Sequence, residues 1–483
     1  MNYKMMGRFL SRILMIEWAF MLPALAISLY CGEKMAVRGF LISLVIIAFL
    51  SLALNFYGKK APKGFYAREG LVCVGGAWII LGLTGGLPFY FSREIPAFID
   101  AVFEIVSGFT TTGSSILPEV ESLSKGILYW RSFSHWVGGM GVLVLLLAIT
   151  GKSENSGYTM HILRAESPGP NVGKLVPKMK QTAMILYLLY MALTVLNMVF
   201  LLIGKMPLFD AVCTAFGTAG TGGFGIKNDS IAGYSPYIQN VCTVFMLLFG
   251  INFSCYYMLI MRQFASVFKD EELRAYLGIV LASIVLIVLN LHGFYDTLGE
   301  TIRHAAFQVA TVITTTGFAT TDFDLWPSFS KGIMFMLMFL GASAGSTGGG
   351  FKVGRLLLVL KGLRRNIRQM INPNRVQVVR NNGQMMNEKI LDNVNAYLAA
   401  YVLIIGVSFL IVSLDGFSIT TNLSAVVACF NNIGPGFEQV GPTCNFGSFS
   451  ILSKLVLIVD MLAGRLEIFP ILILFSRSTW KRR

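Results

Sequence analysis

The sequence predicts an all-α polytopic membrane protein: a two-helix N-terminal extension, then four repeats. Each repeat comprises a full span, a helix too short to cross, a glycine-containing stretch and a second span. Three observations carry this expectation. Only 13% of the 483 residues are charged and 55% are hydrophobic, against roughly 25% charged in a soluble globular domain. Lys and Arg alternate in abundance from one side to the other through ten apolar segments. The tetrapeptide Thr-Thr-Thr-Gly occurs twice, at 110–113 and 314–317, in matching surroundings.

The apolar runs 41–54, 142–149, 183–203 and 278–291 mark the centres of longer apolar segments of the about 20 residues that cross a hydrocarbon core. Spans are expected near 10–30, 38–58, 69–91, 126–150, 181–204, 237–261, 275–293, 331–360, 393–414 and 450–475. Lys4, Arg8 and Arg12 precede the first run with no small-residue cleavage site after it, which reads as a retained helix rather than a signal peptide. With these spans, 26 of the 39 Lys+Arg fall on one side and 10 on the other. Positive residues gather in short cytoplasmic loops, so both termini are expected inside. The net charge of +14 is thereby a matter of topology and anionic lipid, not of nucleic acid.

On the outer side the chain does not return directly after four of the spans. It runs IPAFIDAVFEIVSGFTTTG (95–113), PLFDAVCTAFGTAGTGG (207–223), TIRHAAFQVATVITTTG (301–317) and ITTNLSAVVACFNNIG (419–434) before the next span begins. Each holds about 12 mildly apolar residues, too few to cross. The ungapped match, with Asp100-Ala-Val and Asp210-Ala-Val in register, pairs Gly223 rather than Gly222 with Gly113. This divides the chain into an extension (1–65) and repeats at 66–150, 176–270, 271–370 and 390–483. The third repeat carries a glycine-rich interruption, GASAGSTGGG, at 341–350.

Non-helical backbone at membrane depth is tolerated only where it is buried in protein or lines a water-filled cavity. Four such stretches around a pseudo-fourfold axis would aim carbonyls at a common centre, and rings of carbonyls replace the hydration shell of an alkali cation. Glycine supplies the φ > 0 conformations this requires. The short helices would point their partially negative C-termini at the same centre, which suits a cation.

Other chemistries find little support. Seven cysteines and four histidines are scattered without metal or disulfide spacing. A phosphate-binding loop needs GxxxxGK[ST], whereas Gly345 and Gly350 are followed by Phe351. A multi-pass enzyme would need a nucleophile–base pair or metal cluster within the spans. A solute transporter with inverted repeats would not start all four repeats from one side.

These residues resemble the superfamily of potassium-translocating subunits that includes TrkH, KtrB and the HKT proteins. WRSFSHWVGGMG (130–141), GSTGGGFKVGR (345–355), NNIGPG (431–436) and MLAGRLEIFP (461–470) are similar to the TrkH branch in particular, and the resemblance covers essentially the whole chain. It implies four membrane–pore–membrane repeats around a pseudo-fourfold pore. The selectivity filter binding K+ would comprise Thr110, Thr111, Thr112 and Gly113; Gly220, Thr221, Gly222 and Gly223; Thr314, Thr315, Thr316 and Gly317; and Asn431, Asn432, Ile433 and Gly434. The second and fourth segments depart from Thr-Thr-Thr-Gly, making the ring asymmetric. The resemblance makes 341–350, with Gly345, Ser346, Thr347, Gly348, Gly349 and Gly350, an intramembrane gate beneath the filter. It further implies a homodimer in the bacterial inner membrane and a cytosolic nucleotide-binding regulatory subunit of TrkA type docked on the basic inner face, especially 361–389. K+ is the transported ion, and the chain holds no organic cofactor.

Arg465 lies within the last span, where a central charge costs at least about 2.5–3.5 kcal/mol. A structural pair with Glu467 or Asp460 fits poorly on one helical face, so Arg465 is expected to face the pore as an electrostatic barrier in contact with the gating loop. Lys352 and Arg355 read as snorkelling anchors, and Arg131 and His135 as interfacial packing. Filter chemistry sets ion preference and not energetics, so a Na+- or H+-coupled symporter of the same architecture shares all these features.

Overall fold

The computed structural model describes residues 1–59, 67–141, 179–374 and 377–480. The two N-terminal helices, Tyr3–Cys31 and Lys34–Tyr57, form an antiparallel hairpin turned by Gly32 at φ 74°. Ser11 and Ser51 lock the pair reciprocally, each hydroxyl donating to the other's backbone carbonyl at 2.8 and 3.0 Å. Such bonds retain value in a membrane because the serine would otherwise lie unsatisfied among apolar groups. The hairpin docks on the first repeat, and Glu33 accepts from the backbone N–H groups of Lys125 and Gly126 at 2.7 and 3.2 Å.

Each repeat then runs through an entry helix, a short helix and an exit helix. The entry helices are Ala67–Gly85 (continued by Leu87–Phe91), Met179–Ile203, Glu271–Asn290 and Glu388–Val412. The short helices are Phe98–Phe109, Leu208–Gly220, Leu298–Ile313 and Ile419–Phe430. At 12 to 16 residues each spans roughly 18–24 Å and ends inside the protein.

The exit helices differ from expectation. Four unbroken second spans are foreseen in the sequence except where 341–350 interrupts one, yet all four helices stop short. They are Lys125–Gly139, Pro236–Phe249, Ser328–Met338 and Ile451–Arg465. The second resumes after a bend of 88° as Phe253–Ile260, the third as Val353–Ile371 and the fourth as Phe469–Phe475. The inner half of the expected span 126–150 lies outside the described residues. Among the described residues, the six unbroken helices long and apolar enough to cross a membrane are therefore the two N-terminal ones and the four entry helices.

Glycines account for the breaks by allowing backbone to press on backbone. A Cβ on Gly138 would meet the carbonyl of Phe109, and one on Gly464 the carbonyl of Phe430. In both repeats the exit helix thus abuts the last turn of its own short helix. Below Arg465 the chain turns through left-handed Glu467 (φ 56°) and Ile468 (φ 66°), and Pro470 opens the next helix near its first position, where its missing N–H costs nothing.

Candidate functional site

The four short helices end alike. Thr112 N–H bonds the Ser107 carbonyl and Thr111 N–H that of Gly108; the same pair of bonds recurs from Gly222 and Thr221, Thr316 and Thr315, and Ile433 and Asn432. This is the Schellman closure, whose left-handed residue is usually glycine. Here that residue is Thr111 (φ 56°), Thr221 (52°), Thr315 (58°) or Asn432 (56°). A side chain in that region costs about 1–2 kcal/mol, and such strain persists only where the surroundings over-determine it. Two residues on, Gly113 (φ 82°), Gly223 (76°), Gly317 (87°) and Gly434 (101°) turn left-handed again. The backbone is thus fourfold even where the side chains are not.

The four segments close a ring. A Cβ on Gly113 would strike the carbonyl of Gly222; on Gly223, that of Thr316; on Gly317, that of Ile433; on Gly434, that of Thr112. Each closing glycine faces the third-position carbonyl of the next segment, in chain order, and the fourth returns to the first. Every residue from 110 to 112, 220 to 221, 314 to 316 and 431 to 433 is buried. The register agrees with Gly223, not Gly222, as the partner of Gly113.

Side chains behind the ring explain its asymmetry. In the first and third segments the first and third threonines bond each other, Thr110 to Thr112 at 2.8 Å and Thr314 to Thr316 at 2.7 Å. In the second segment both positions are glycine because His135 fills the space. A Cβ on Gly220 would meet its carbonyl and one on Gly222 its ring. His135 also braces two repeats: Nδ1–H donates to Gly108 at 2.8 Å, and Nε2 accepts from Phe224 N–H at 3.2 Å. In the fourth segment Asn431 accepts from the Tyr401 hydroxyl at 2.9 Å, and Asn432 reaches across to Thr112 Oγ1 at 2.9 Å.

The glycine-rich stretch lies against one side of this ring. Its ends pair in parallel, Leu340 with Phe351 and Gly341 with Lys352, and Glu272 accepts from Ala344 N–H at 2.6 Å and Gly354 N–H at 2.9 Å. Its middle enters the break in the second exit helix: Ser343 and Thr347 donate to the carbonyls of Gly250 and Phe249, and the Gly345 carbonyl accepts from Phe253 N–H. Groups orphaned by the helix break are met by groups of the loop. At the tip, Gly349 N–H donates to Thr315 Oγ1 at 2.7 Å. Arg465 ties these parts together, donating to Thr347 O at 2.9 Å, Gly138 O at 2.5 Å, Gly139 O at 2.7 Å and Thr111 Oγ1 at 3.3 Å.

The family model described as TrkH, cation transport protein, matches residues 36–482. The chain belongs to the TrkH family of cation transport proteins. It is 37% identical over 444 residues to the Trk system potassium uptake protein TrkH of Salmonella typhimurium, covering 90% of this chain and 91% of that one. A Halomonas elongata protein of the same description is 34% identical over the full length of both chains. The crystal structure of the potassium transporter TrkH from Vibrio parahaemolyticus superposes over 100% of both chains with a TM-score of 0.88 at 30% identity. Membership in this TrkH family sets aside the multi-pass enzyme alternative.

Several polar residues of this TrkH-family chain lie elsewhere than the sequence suggests. Arg131 and His135 are buried behind the ring segments rather than interfacial. Arg131 pairs with Glu104 at 2.6 Å, donates to Gly225 O at 2.8 Å and stacks on Phe224 at 3.5 Å. Glu104 also accepts from Ser115 Oγ at 2.9 Å and Ile116 N–H at 3.0 Å. Asp100, in the same short helix, pairs with Lys454 at 2.7 Å. Arg355 and Lys352 do not snorkel: Arg355 pairs with Glu467 and lies 4.0 Å from the Tyr397 ring, while Lys352 turns into the loop. Asp460, the other acid near Arg465, accepts from Ser408 at 2.7 Å. Paired glycines at 220 and 222 were the available signal for a bulky neighbour, but nothing local names His135. Glu104→Ala strands Arg131 without its counter-ion and is expected to cost about 3–5 kcal/mol, seen as a lower melting temperature in detergent with Arg131→Ala similarly affected; unchanged melting of Glu104→Ala would exclude the brace.

Proposed function

We propose that this chain translocates potassium ions across the bacterial inner membrane, with residues 110–113, 220–223, 314–317 and 431–434 as the selectivity filter. The observation that carries this reading is the closed cycle of glycine-to-carbonyl contacts, which supports four backbone segments meeting around one axis. Carbonyl rings of that kind substitute for the hydration shell of an alkali cation. Four short helices present the partially negative ends of their dipoles to the same place, so the electrostatics favour a cation before any side chain takes part. The relatives named for potassium uptake support K+ as that cation.

Residues 341–350 act as the gate beneath the filter, and Arg465 holds it shut. Two features support this: the loop contacts Thr315 through Gly349, and the Arg465 guanidinium joins the loop to the first exit helix and the first filter segment. The protein works as a homodimer with both termini in the cytoplasm. The relatives are named as parts of a Trk system, which supports a further component, and we take it to be a cytosolic nucleotide-binding subunit docked on the basic face around 361–389. There Lys361 pairs with Glu271 and Arg365 pairs with Glu388 at 2.6 Å.

Rubidium uptake into proteoliposomes, with sodium as competitor, tests the filter. In Gly113→Ser the added side chain pushes on the carbonyl of Gly222, and the potassium-to-sodium permeability ratio is expected to fall; an unchanged ratio in a folded variant removes 113 from the filter. For the gate, Arg465→Ala is expected to raise flux. At an effective dielectric constant near 20, unit charges about 6 Å apart repel by about 3 kcal/mol, an upper bound corresponding to roughly a hundredfold in rate. A well-folded Arg465→Ala that conducts no faster than the parent ends the gating role.

A further inference from the structure

Three consecutive carbonyls at the tip of the loop, those of Thr347, Gly348 and Gly349, are all held by cationic side chains. Arg465 takes the first at 2.9 Å. Lys352 takes the other two, donating to Gly348 O and, at 2.8 Å, to Gly349 O. Lys352 is 1% exposed and belongs to the foot of the loop, yet its long stem reaches up to the tip rather than down to an aqueous face. The tip touches the filter: a Cβ on Gly348 would lie 2.9 Å from Thr314 O and one on Gly349 2.7 Å from Asn431 O. The amino group is thus held by the two loop residues that touch the third and fourth segments, through the kind of oxygen that coordinates a dehydrated monovalent cation.

We propose that the carbonyls of Gly348 and Gly349 form a monovalent-cation site below the filter, and that the chain's own Lys352 ammonium occupies it as a tethered blocking ion. The inference rests on the reading of 341–350 as a gate and adds its chemistry: the gate closes by filling a cation site with a cation that cannot diffuse away. Anchoring of the loop does not require Lys352, because Glu272 already holds Ala344 and Gly354 and the second exit helix holds Ser343, Gly345 and Thr347. Those contacts fix the feet and the middle, leaving the two tip carbonyls to the lysine. An ammonium offers three donors and no acceptor, so two carbonyls and a hydroxyl or water complete its shell.

Proteoliposome flux of rubidium separates this from a structural role. Lys352→Met keeps most of the volume and removes the charge; Lys352→Ala also vacates the site. Both are expected to conduct faster than the parent without any partner, by roughly tenfold, the change produced by about 1.4 kcal/mol of barrier. In Lys352→Ala, n-propylammonium supplied from the loop side is expected to restore the block, while n-propanol does not and the parent ignores both. Lys352→Arg, which keeps a cation, is expected to stay near the parent. Raised flux in Lys352→Ala that n-propylammonium leaves untouched overturns the blocking ion and makes Lys352 a latch. Flux at the parent level in both neutral variants overturns it too, and a chain shortened within 341–350 then distinguishes the causes. If the shortened chain conducts faster, the gate stands and Lys352 is not its plug; if it does not, the gate itself falls.

Discussion

Backbone that leaves the helix at membrane depth must be buried in protein or line a water-filled cavity, and the architecture follows from that requirement. Four short helices end inside the molecule and four exit helices break beside them, so eight helix ends carry orphan groups into one region. Each set satisfies another. Schellman bonds close the short helices, and the interrupted second exit helix is completed by the loop from the third repeat. The first exit helix ends in carbonyls taken by Arg465 from the fourth. The helix ends and the loop from the third repeat are thereby joined in one polar network.

Backbone symmetry and side-chain symmetry obey different rules here. The left-handed pairs at the second and fourth positions are common to all four segments, because the ring is made of main chain. Side chains at the first and third positions answer to whatever stands behind them. Two threonines bond each other where there is room, glycines give way to His135, and an asparagine meets Tyr401. The departures from Thr-Thr-Thr-Gly are therefore packing solutions behind one backbone geometry shared by the four segments.

Much of this was legible in the sequence, for reasons that mark where legibility ends. Apolar length and charge alternation revealed the entry helices because the bilayer acts on every residue of a span. Matched offsets revealed the four ring segments and the pairing of Gly223 with Gly113 because closing a ring needs glycine at one fixed place. The broken exit helices were missed in three repeats of four. Gly138, Gly250 and Gly464 look like ordinary helix-packing glycines, and only the third repeat advertises its break with a long insertion. Long-range charge pairing was equally hidden: Glu104 with Arg131, Asp100 with Lys454 and Arg355 with Glu467 lie up to 354 positions apart. Local spacing carries no trace of such partners.

The histidine behind the second segment has a consequence for how this chain can change. A tetramer of identical subunits would have to place the same side chain behind all four segments or none. A single chain holding four repeats escapes that restriction, and here it has used the freedom: 220 and 222 are small because 135 is large, and 135 belongs to the preceding repeat. Neighbouring repeats have thereby become complementary rather than equivalent. Exchanging the second segment with the fourth would drive an asparagine into the space of His135 while leaving the Tyr401 hydroxyl facing a glycine. The order of the repeats is fixed by their differences, although their shared backbone would fit in any order.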